Sequence, residues 1–363
     1  VYTVDALPTT GTLYRSAVAL NVSDTFTQAD LDAGLISYDQ NGTEAASDSF
    51  DFTVDDGAGT TTSSTFTWTI TNVNDAPVEA SIEGGTLSYT ENGGAVAITS
   101  TLALSDVDDT NMESAVVQIT ANYANGQDVL AFVDQNGISG IWNAGSGTMT
   151  LTGTATVAQY EAALRSITYT NTSDNPSTAT RTVAFTVNDG DVDSNTQTRD
   201  ISVAATNDDP TGTGLPTDIT VTEDVSSNVD LSALNLSDLD ENGGNLTFTL
   251  TTSTGGNLSA TTGGGVTVGG SGSGTMTLTG SLADLNTFLD TPANLQYLHG
   301  TPHTFGNDVD TIQVVVNDGG NTGSGGGTDQ TIGTVNVDIT AVNDEQVLST
   351  NAGDTVSEGS SGN

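Results

Sequence analysis

The chain has 363 residues and carries 46 acidic side chains against four basic ones, all arginine, so its net charge at pH 7 is −42. This charge excludes nucleic acid as a natural partner and disfavours docking on anionic lipid, because both bind basic surfaces. The chain has no Cys, so no disulfide stabilises it. It has no apolar run near the ~18 residues of a membrane span, so we expect no membrane insertion.

Short segments of alternating apolar and polar residues predict β-strands throughout the chain. Examples are FDFTV at 50–54, VAFTV at 183–187 and IQVVV at 312–316. A period near two is typical of strands with one buried face. The 42 glycines and many Ser and Thr residues are also typical of disordered chains, but disorder does not produce this alternation. We therefore predict an all-β protein.

The same strand ending recurs along the chain and predicts a tandem array. It is found at 49–77 (SFDFTVDDG, then TITNVNDAP), at 182–210 and at 311–345. Its Asn-Asp begins at Asn74, Asn207 and Asn343, so the period is 133 and then 136 residues. A period of this length is the size of a whole domain, so each complete repeat is expected to have its own core.

The recurrence divides the chain into four predicted parts. These are an N-terminally truncated first repeat at 1–77, a second repeat at 78–209, a third at 210–345, and the opening strand of a fourth at 346–363. The last assignment rests on TVSEG at 355–359, which matches SYTEN at 88–92 and TVTED at 220–224. The chain is then either a window on a longer array or a subunit whose C-terminal strand completes the first domain of the next copy.

Each repeat also carries one short helical signal before its penultimate strands. The three segments are TQADLDAGL at 27–35, TVAQYEAALRSI at 156–167 and SLADLNTFLD at 281–290. Each begins with a hydroxyl residue and has an acceptor three residues later, which is typical of a capping box. The predicted N-caps are Thr27, Thr156 and Ser281, and the leucines predicted to turn inward are Leu31, Leu164, Leu285 and Leu289.

An acidic motif follows each complete boundary between repeats. Glu91 precedes Asp106 by 15 residues, and Glu223 precedes Asp238 by the same offset. Each Asp has a second Asp two residues later, in LSDVDD and LSDLDE. Two loop carboxylates ~4 Å apart repel by roughly 1 to 4 kcal/mol, and a hard cation removes that cost. Calcium binds carboxylate, amide and carbonyl oxygens, whereas zinc prefers His and Cys, so the motif predicts Ca²⁺.

These motifs carry a family resemblance. The combination of FTVNDG, NVNDAP and LSDVDD resembles bacterial cadherin-like repeats. The stretch LPTTGTLY…FTQADLDAGLISYDQNG at 7–42 is similar to the related chondroitin-sulfate-proteoglycan type repeat of giant bacterial surface proteins. The resemblance covers essentially the whole chain. It implies immunoglobulin-like or cadherin-like β-sandwiches joined end to end, with calcium where successive domains meet.

The resemblance also implies three sets of calcium ligands. The first set is Asn74, Asp75, Asp106, Asp108 and Asp189. The second is Glu91, Asn207, Asp208, Asp238, Asp240 and Asp318, and the third is Glu223, Asn343 and Asp344. Asn72, Ala205 and Ala341 replace the leading Asp of the cadherin linker, so fewer or weaker ions are expected. For any single Asp of these motifs an ordinary turn is the favoured explanation, but the joint recurrence at fixed offsets favours metal binding for the set.

The predicted function is a calcium-rigidified stalk or filament segment of a large secreted bacterial surface adhesin or matrix protein. Its expected partners are neighbouring repeats, other copies of the chain in a filament, or cell-surface glycans. With two His and no Cys, an enzyme is not expected, and Gly300 and Pro302 keep His299 and His303 from forming a helical metal pair. A carbohydrate-binding module, marked by an exposed Trp142, and an adaptation of the acidic surface to high salt remain alternatives.

Overall fold

A computed structural model describes residues 1–344, and the prediction for 346–363 lies outside them. The chain separates into two compact units. The first unit comprises residues 1–89, 93–172 and 179–203, and the second comprises 90–92, 173–178 and the described residues from 204 to 344. Strands dominate both units and helices are few, which confirms the all-β prediction.

Seven strands precede residue 78. They are β1 Tyr2–Ala6, β2 Gly11–Arg15, β3 Val18–Ala19, β4 Thr25–Phe26, β5 Ile36–Gln40, β6 Ser47–Asp55 and β7 Thr61–Thr69. One sheet has the order β4-β1-β6-β7 and the other the order β3-β2-β5. Strand β7 therefore lies at the edge of its sheet and is paired with β6.

Eleven strands follow up to Ala204. They are β8 Val78–Ala80, β9 Leu87–Thr90, β10 Val96–Ala97, β11 Ala103–Ser105, β12 Asn111–Ala121, β13 Asp128–Ala131, β14 Ser139–Asn143, β15 Thr148–Thr156, β16 Thr168–Asn171, β17 Arg181–Asn188 and β18 Gln197–Ala204. The main sheet has the order β14-β15-β12-β17-β18-β9. Two smaller sheets, β10-β16-β13 and β11-β8, complete this part of the fold.

The third part of the chain repeats this plan. Its strands are β19 Thr211–Thr213, β20 Asp218–Thr222, β21 Ser227–Asn228, β22 Asn235–Ser237, β23 Asn245–Thr252, β24 Gly256–Ala260, β25 Thr267–Gly269, β26 Thr275–Ser281, β27 Leu295–His299, β28 Gly306–Asn317 and β29 Gln330–Thr340. The main sheet has the order β20-β29-β28-β23-β26-β25, beside the sheets β21-β27-β24 and β19-β22. Strand β20 pairs with β29 in parallel.

Within residues 1–344 the buried side chains form three separate hydrophobic clusters. One spans Tyr89 to Val203 and another spans Ile219 to Ile339. The cluster of the first 77 residues has only five buried members: Val4, Leu13, Leu20, Phe26 and Phe50. The first repeat therefore encloses much less of its apolar surface than the other two do. The exact boundaries of the repeats stay a prediction.

The three predicted helices are present, and their N-caps are the predicted residues. They are α1 Gln28–Asp32, α2 Val157–Ser166 and α3 Leu282–Leu289, and a short 3-10 turn follows at Pro292–Asn294. Thr27 and Thr156 form complete capping boxes, whereas Ser281 accepts from the Asp284 amide and donates to the Asp284 carboxylate. The prediction for Leu31 is wrong, because α1 has five residues and leaves this side chain 38% exposed.

A buried carboxylate anchors the loops of the first and third repeats. Asp48 accepts hydrogen bonds from the Thr9 and Thr10 amides at 2.9 Å and from the Tyr38 hydroxyl at 2.9 Å. Asp310, which is 1% exposed, accepts from the Tyr297 hydroxyl at 2.9 Å in the same way. Buried carboxylates are stable when every oxygen is paired, so these networks hold each sandwich together.

The second repeat has an equivalent buried network, but an arginine stands at the position where the third repeat has its aspartate. Arg181 stands eight residues before Asp189, at the position that Asp310 occupies eight residues before Asp318. The carboxylate comes instead from Asp128, whose Oδ2 lies 3.2 Å from the Arg181 guanidinium, with both side chains fully buried. The Tyr169 hydroxyl donates to Oδ1 of Asp128 at 2.6 Å.

Candidate metal centre

Side chains from separate segments of the first unit meet at one place. The segments after β7, β11 and β17 contribute Asn74, Asp75, Asp106, Asp108, Asp109 and Asp189. The Asn74 side-chain amide donates to Oδ2 of Asp189 at 2.9 Å, and the Asp75 backbone amide donates to Oδ2 of Asp108 at 3.2 Å. Carboxylate oxygens of Asp106, Asp109 and Asp189 lie within 4.8 Å of one another. The structure thus brings together all five residues of the first predicted set.

Local hydrogen bonds shape this first cluster. Oδ1 of Asp106 accepts from the backbone amides of Asp108 and Asp109 at 3.1 and 2.9 Å, which closes the turn after β11. Oδ2 of Asp106 is buried and has no hydrogen-bond partner. Burial and the neighbouring carboxylates raise the pKa of Asp109. The turn therefore uses one Asp106 oxygen and leaves the other available to a cation.

Asp189 is held differently from its neighbours. Burial opposes its ionisation, but hydrogen bonds from the Val192 amide, the Asn74 side chain and the Asp191 amide outweigh burial and hold its pKa below the ordinary value. The two backbone bonds are both 2.8 Å long. Asp189 is therefore a fixed, ionised carboxylate at the edge of the cluster.

The second unit has a more deeply buried cluster of three carboxylates. Asp238, Asp240 and Asp318 each offer an oxygen within 4.8 Å of the other two. Asp240 and Asp318 are each 1% exposed. Both carboxylate oxygens of Asp240, and Oδ2 of Asp238 and of Asp318, are buried without a hydrogen-bond partner. Burial, followed by the charges of Asp240 and Asp318, raises the pKa of Asp238 to about 6.

A second trio lies in the same unit. Glu91, Asp174 and Asp208 also have carboxylate oxygens within 4.8 Å of one another. Oε2 of Glu91 accepts from the Thr206 amide at 2.8 Å, while Oε1 of Glu91 and Oδ2 of Asp208 are buried without partners. Burial and the charges of nearby carboxylates, Asp240 among them, raise the pKa of both Glu91 and Asp208.

The chemistry of these oxygens fits a hard cation. An ionised carboxylate that is buried and unpaired costs several kcal/mol, and none of the ion pairs within residues 1–344 involves a carboxylate of either trio. Ca²⁺ coordinates six to eight oxygens and accepts carboxylates of this kind. Asp238, Asp240 and Asp318 would hold one ion, and Glu91, Asp174 and Asp208 would lie beside a second.

A glycine-rich loop positions the segment that leads to Asp208. Ser324, between β28 and β29, donates to the Ala205 carbonyl at 2.9 Å and accepts from the Asn207 amide at 3.1 Å. The Asn207 side-chain oxygen accepts from the Thr322 amide at 3.4 Å. Gly323 has a φ of +82°, and a Cβ at this position would lie 2.6 Å from the Ala205 backbone. Only glycine allows this close approach.

Replacing Gly323 by alanine is expected to push the loop away from Ala205 and Asn207. We expect a loss of about 1 to 3 kcal/mol of stability, because alanine is strained at this φ, and a weaker response to calcium. Calorimetric melts with and without calcium measure both effects. Gly326→Ala is the matched control, because a Cβ there meets nothing within 4 Å. Equal behaviour of the two variants would show that the loop does not position Asp208.

The third predicted set is only partly brought together. Oε1 of Glu223 accepts from the Val342 amide at 2.6 Å, in the same way as Glu91 accepts from Thr206. Oδ2 of Asp344 instead lies 2.8 Å from Nδ1 of His303, which is also 3.2 Å from Asp224. Asn343 is exposed beside this pair. The sequence indicated no partner for His303, but the fold places two carboxylates beside its imidazole.

Sequence reasoning missed three acidic residues of these clusters. Burial and the charges of Asp108 and Asp75 raise the pKa of Glu44, which places its carboxylate at the first cluster. Asp109 and Asp174 belong to the carboxylate trios of the first and second units. Asp109 was visible within LSDVDD, but Glu44 and Asp174 precede the next strand at unequal distances and share no fixed spacing.

The comparisons with known proteins place a family on part of the chain. Residues 1–71 match a family model described as Cadherin-like. This confirms the resemblance inferred from the sequence. No curated protein matches the chain. Among residues 1–344, no helix combines the length and apolar character needed to cross a membrane.

Solved structures of cadherin-like domains are among those similar to this chain. Mouse Cadherin-23 EC22-24 aligns at 16% identity over 93% of this chain and 87% of that chain, with a TM-score of 0.33. Protocadherin Gamma B2 extracellular cadherin domains 1-5 align at 12% identity over 86% of this chain, with a TM-score of 0.37, and the match spans 49% of that protein. The C-terminal domain of the Streptococcus agalactiae AgI/II polypeptide BspA aligns at 8% identity over 72% of this chain and 99% of that chain, with a TM-score of 0.20.

Proposed function

We propose that this chain is a calcium-stiffened segment of a secreted bacterial surface adhesin or matrix protein, with a mechanical role. The observation that carries the proposal is Asp240, a carboxylate that is 1% exposed and has no partner on either oxygen. The cadherin-like first repeat supports an adhesive or structural role outside the cell. The acidic clusters supply the oxygen ligands that such a role needs.

The mechanism follows from where the ligands come from in the chain. Asp208 lies in the segment after β18, Asp238 and Asp240 in the loop after β22, and Asp318 after β28. Cations bound at the two neighbouring trios stabilise only the conformation in which these segments are in place. When bound, Ca²⁺ supplies the positive charge that cancels their repulsion. The positions of these chain segments set the distances between the carboxylates.

The first unit provides a parallel arrangement. Asn74 and Asp75 follow the last strand of the first repeat, whereas Asp106, Asp108 and Asp189 lie in the second. The two repeats already contact each other there, because the Asn74 side chain donates to Asp189 and the Asp75 backbone amide donates to Asp108. A cation at this place would restrict the motion of one repeat against the next. Extracellular calcium modules bind at ~0.1 to 1 mM, so such sites fill outside the cell and empty in a low-calcium cytosol.

The first test is Asp106→Asn with Asp108→Asn, studied by small-angle scattering in chelator and in 5 to 10 mM calcium. We expect wild type to become less flexible in calcium, and the variant to keep its folded repeats but lose most of that change at the junction. Asp193→Asn with Asp200→Asn removes the same charge elsewhere in the second repeat and serves as the control. Loss of folded structure in the variant, or an unchanged response to calcium, would contradict the proposal.

No observation favours the carbohydrate-binding alternative. Trp142 is half-buried and packs edge-on against Tyr123, with ring centroids 6.2 Å apart. Trp68 stacks on Tyr38 at 4.2 Å in the first repeat. Both indoles pack against the edge of a hydrophobic cluster. Packing of this kind is unlike the exposed Trp142 that would mark a carbohydrate-binding module.

A further inference from the structure

Two asparagine side chains of the second unit form a reciprocal hydrogen-bonded pair. The Asn175 side-chain amide donates to Oδ1 of Asn242 at 2.8 Å, and the Asn242 side-chain amide donates to Oδ1 of Asn175 at 3.1 Å. Asn242 also donates to the Thr322 hydroxyl at 3.2 Å. The Thr322 hydroxyl in turn donates to the Asp240 carbonyl. Asn175, Asn242 and Thr322, here called the amide clamp, thus join three separate segments of the chain.

The sequence around Asn175 restrains the first of these segments. Pro176 limits the residue before it, Asn175, to extended backbone, and Pro176 is itself buried. The Ser173 hydroxyl accepts from the Asn175 backbone amide at 3.1 Å, which closes a local turn around Asp174. Asp174 therefore lies inside a short segment whose backbone is held on both sides.

The other two segments of the clamp belong to the acidic clusters. Asn242 lies two residues after Asp240, in the loop between β22 and β23. Its φ is +44°, a left-handed conformation that asparagine adopts more readily than most residues do. The Thr322 backbone amide donates to Oδ1 of Asn207 at 3.4 Å. The clamp therefore reaches the segment that holds Asp240 and the segment that holds Asp208, the residue after Asn207.

Asp174 is the member of its trio that most needs such support. Glu91 is 4% exposed, and its Oε1 is buried without a hydrogen-bond partner, which is the observation that indicates a cation at this place. Asp174, in contrast, is exposed. An exposed side chain that becomes ordered only when the ion binds loses conformational freedom at that step, and this loss weakens the affinity. A contact that orders the Asp174 segment beforehand removes part of the cost.

We propose that the amide clamp positions Asp174 for calcium and thereby raises the calcium affinity of the trio Glu91, Asp174 and Asp208. The inference rests on the proposed function, because it requires that this trio binds the ion. The clamp side chains are uncharged, so Asn175 and Asn242 are positioning residues that act through Asp174. Neutral hydrogen bonds between exposed or half-buried groups add little to folding stability. Loss of the clamp is therefore expected to weaken calcium binding more than it weakens the fold.

A calcium titration of the full chain, with a fluorophore attached to Thr178→Cys, tests the clamp. The chain has no other Cys, and Thr178 is exposed in the same segment as Asp174. We expect Asn175→Ala to weaken the calcium binding that the fluorophore reports by about threefold to tenfold, while melts in chelator change little. Asn257→Ala removes an amide from β24, outside the clamp, and is the matched control that should bind calcium like wild type.

A double-mutant cycle separates positioning from a merely structural role. If Asn175 acts through Asp174, then Asn175→Ala has no further effect on calcium binding in a chain that already carries Asp174→Asn. Equal calcium binding by wild type and Asn175→Ala would overturn the inference, and so would effects of the two substitutions that simply add. A labelled wild-type chain that does not respond to calcium at all would contradict the proposed calcium site and this inference together, so the two failures are distinguishable.

Discussion

Replacing Asp238 and Asp240 together by asparagine is expected to remove the calcium-dependent stability that their own site adds to the second unit, while leaving the calcium-free protein at least as stable as wild type. The two effects have opposite signs for one reason. Buried carboxylates that lack partners repel each other when no cation is bound, and the same oxygens bind the cation when it is present. At 100 times its dissociation constant, one bound ion adds ~2.7 kcal/mol, which is the expected loss per site.

Calorimetric melts in chelator and in calcium measure this prediction. Asp290→Asn is the matched control, because it removes one exposed charge from the same repeat outside both trios. If the double variant is less stable than wild type in chelator and in calcium alike, then Asp238 and Asp240 have a structural role and not a ligand role.

Replacing Asp310 by alanine is expected to destabilise the third repeat by about 4 kcal/mol, because it leaves several buried donors without an acceptor. Asp310 accepts from the amides of Ser253, Thr254 and Gly256 at 2.9, 2.8 and 3.0 Å. The Tyr297 hydroxyl donates to it as well. Denaturant unfolding measures the loss. Tyr297→Phe, which removes one of these donors, is expected to cost less, about 1 kcal/mol.

The same network makes a pH-dependent prediction. Burial opposes ionisation of Asp310, but the hydrogen bonds from Ser253, Tyr297 and Thr254 outweigh it and lower the pKa to about 2 from 3.8. A lowered pKa stabilises the folded state above the unfolded value, and this contribution is lost as pH falls from about 4 to about 2. The stability difference between wild type and Asp310→Asn should therefore shrink over this range. A difference that is constant with pH would contradict the role of the ionised carboxylate.

The sequence predicted what depends on local patterns. Alternation located strands such as β6, β17 and β28, because a half-buried strand must alternate. The hydroxyl residues Thr27 and Thr156 located helix starts, because the capping box is complete within four residues. Leu31 was misassigned because burial depends on what packs above α1, which the local pattern does not contain.

The candidate site was predicted where ligands recur at fixed spacing and missed where they do not. The offset from Glu91 to Asp106 repeats from Glu223 to Asp238, so recurrence separated these residues from ordinary turns. Glu44 belongs to a loop whose length differs from that of the segment that holds Asp174. A single sequence therefore gives no signal that Glu44 lies near the first cluster. The pairing of Asp128 with Arg181 was likewise invisible, because 53 residues separate the partners.

The most direct test of the central proposal is the melting temperature of the full chain in excess chelator, in calcium, in magnesium and in 1 M sodium chloride. The buried carboxylate oxygens of Asp240 and Asp318 that lack hydrogen-bond partners predict that millimolar calcium raises the melting temperature by roughly 5 °C or more, and that sodium chloride does not match it. Stabilisation by sodium chloride equal to that by calcium would contradict the proposal. The acidic clusters would then be solvated turns of a salt-adapted surface.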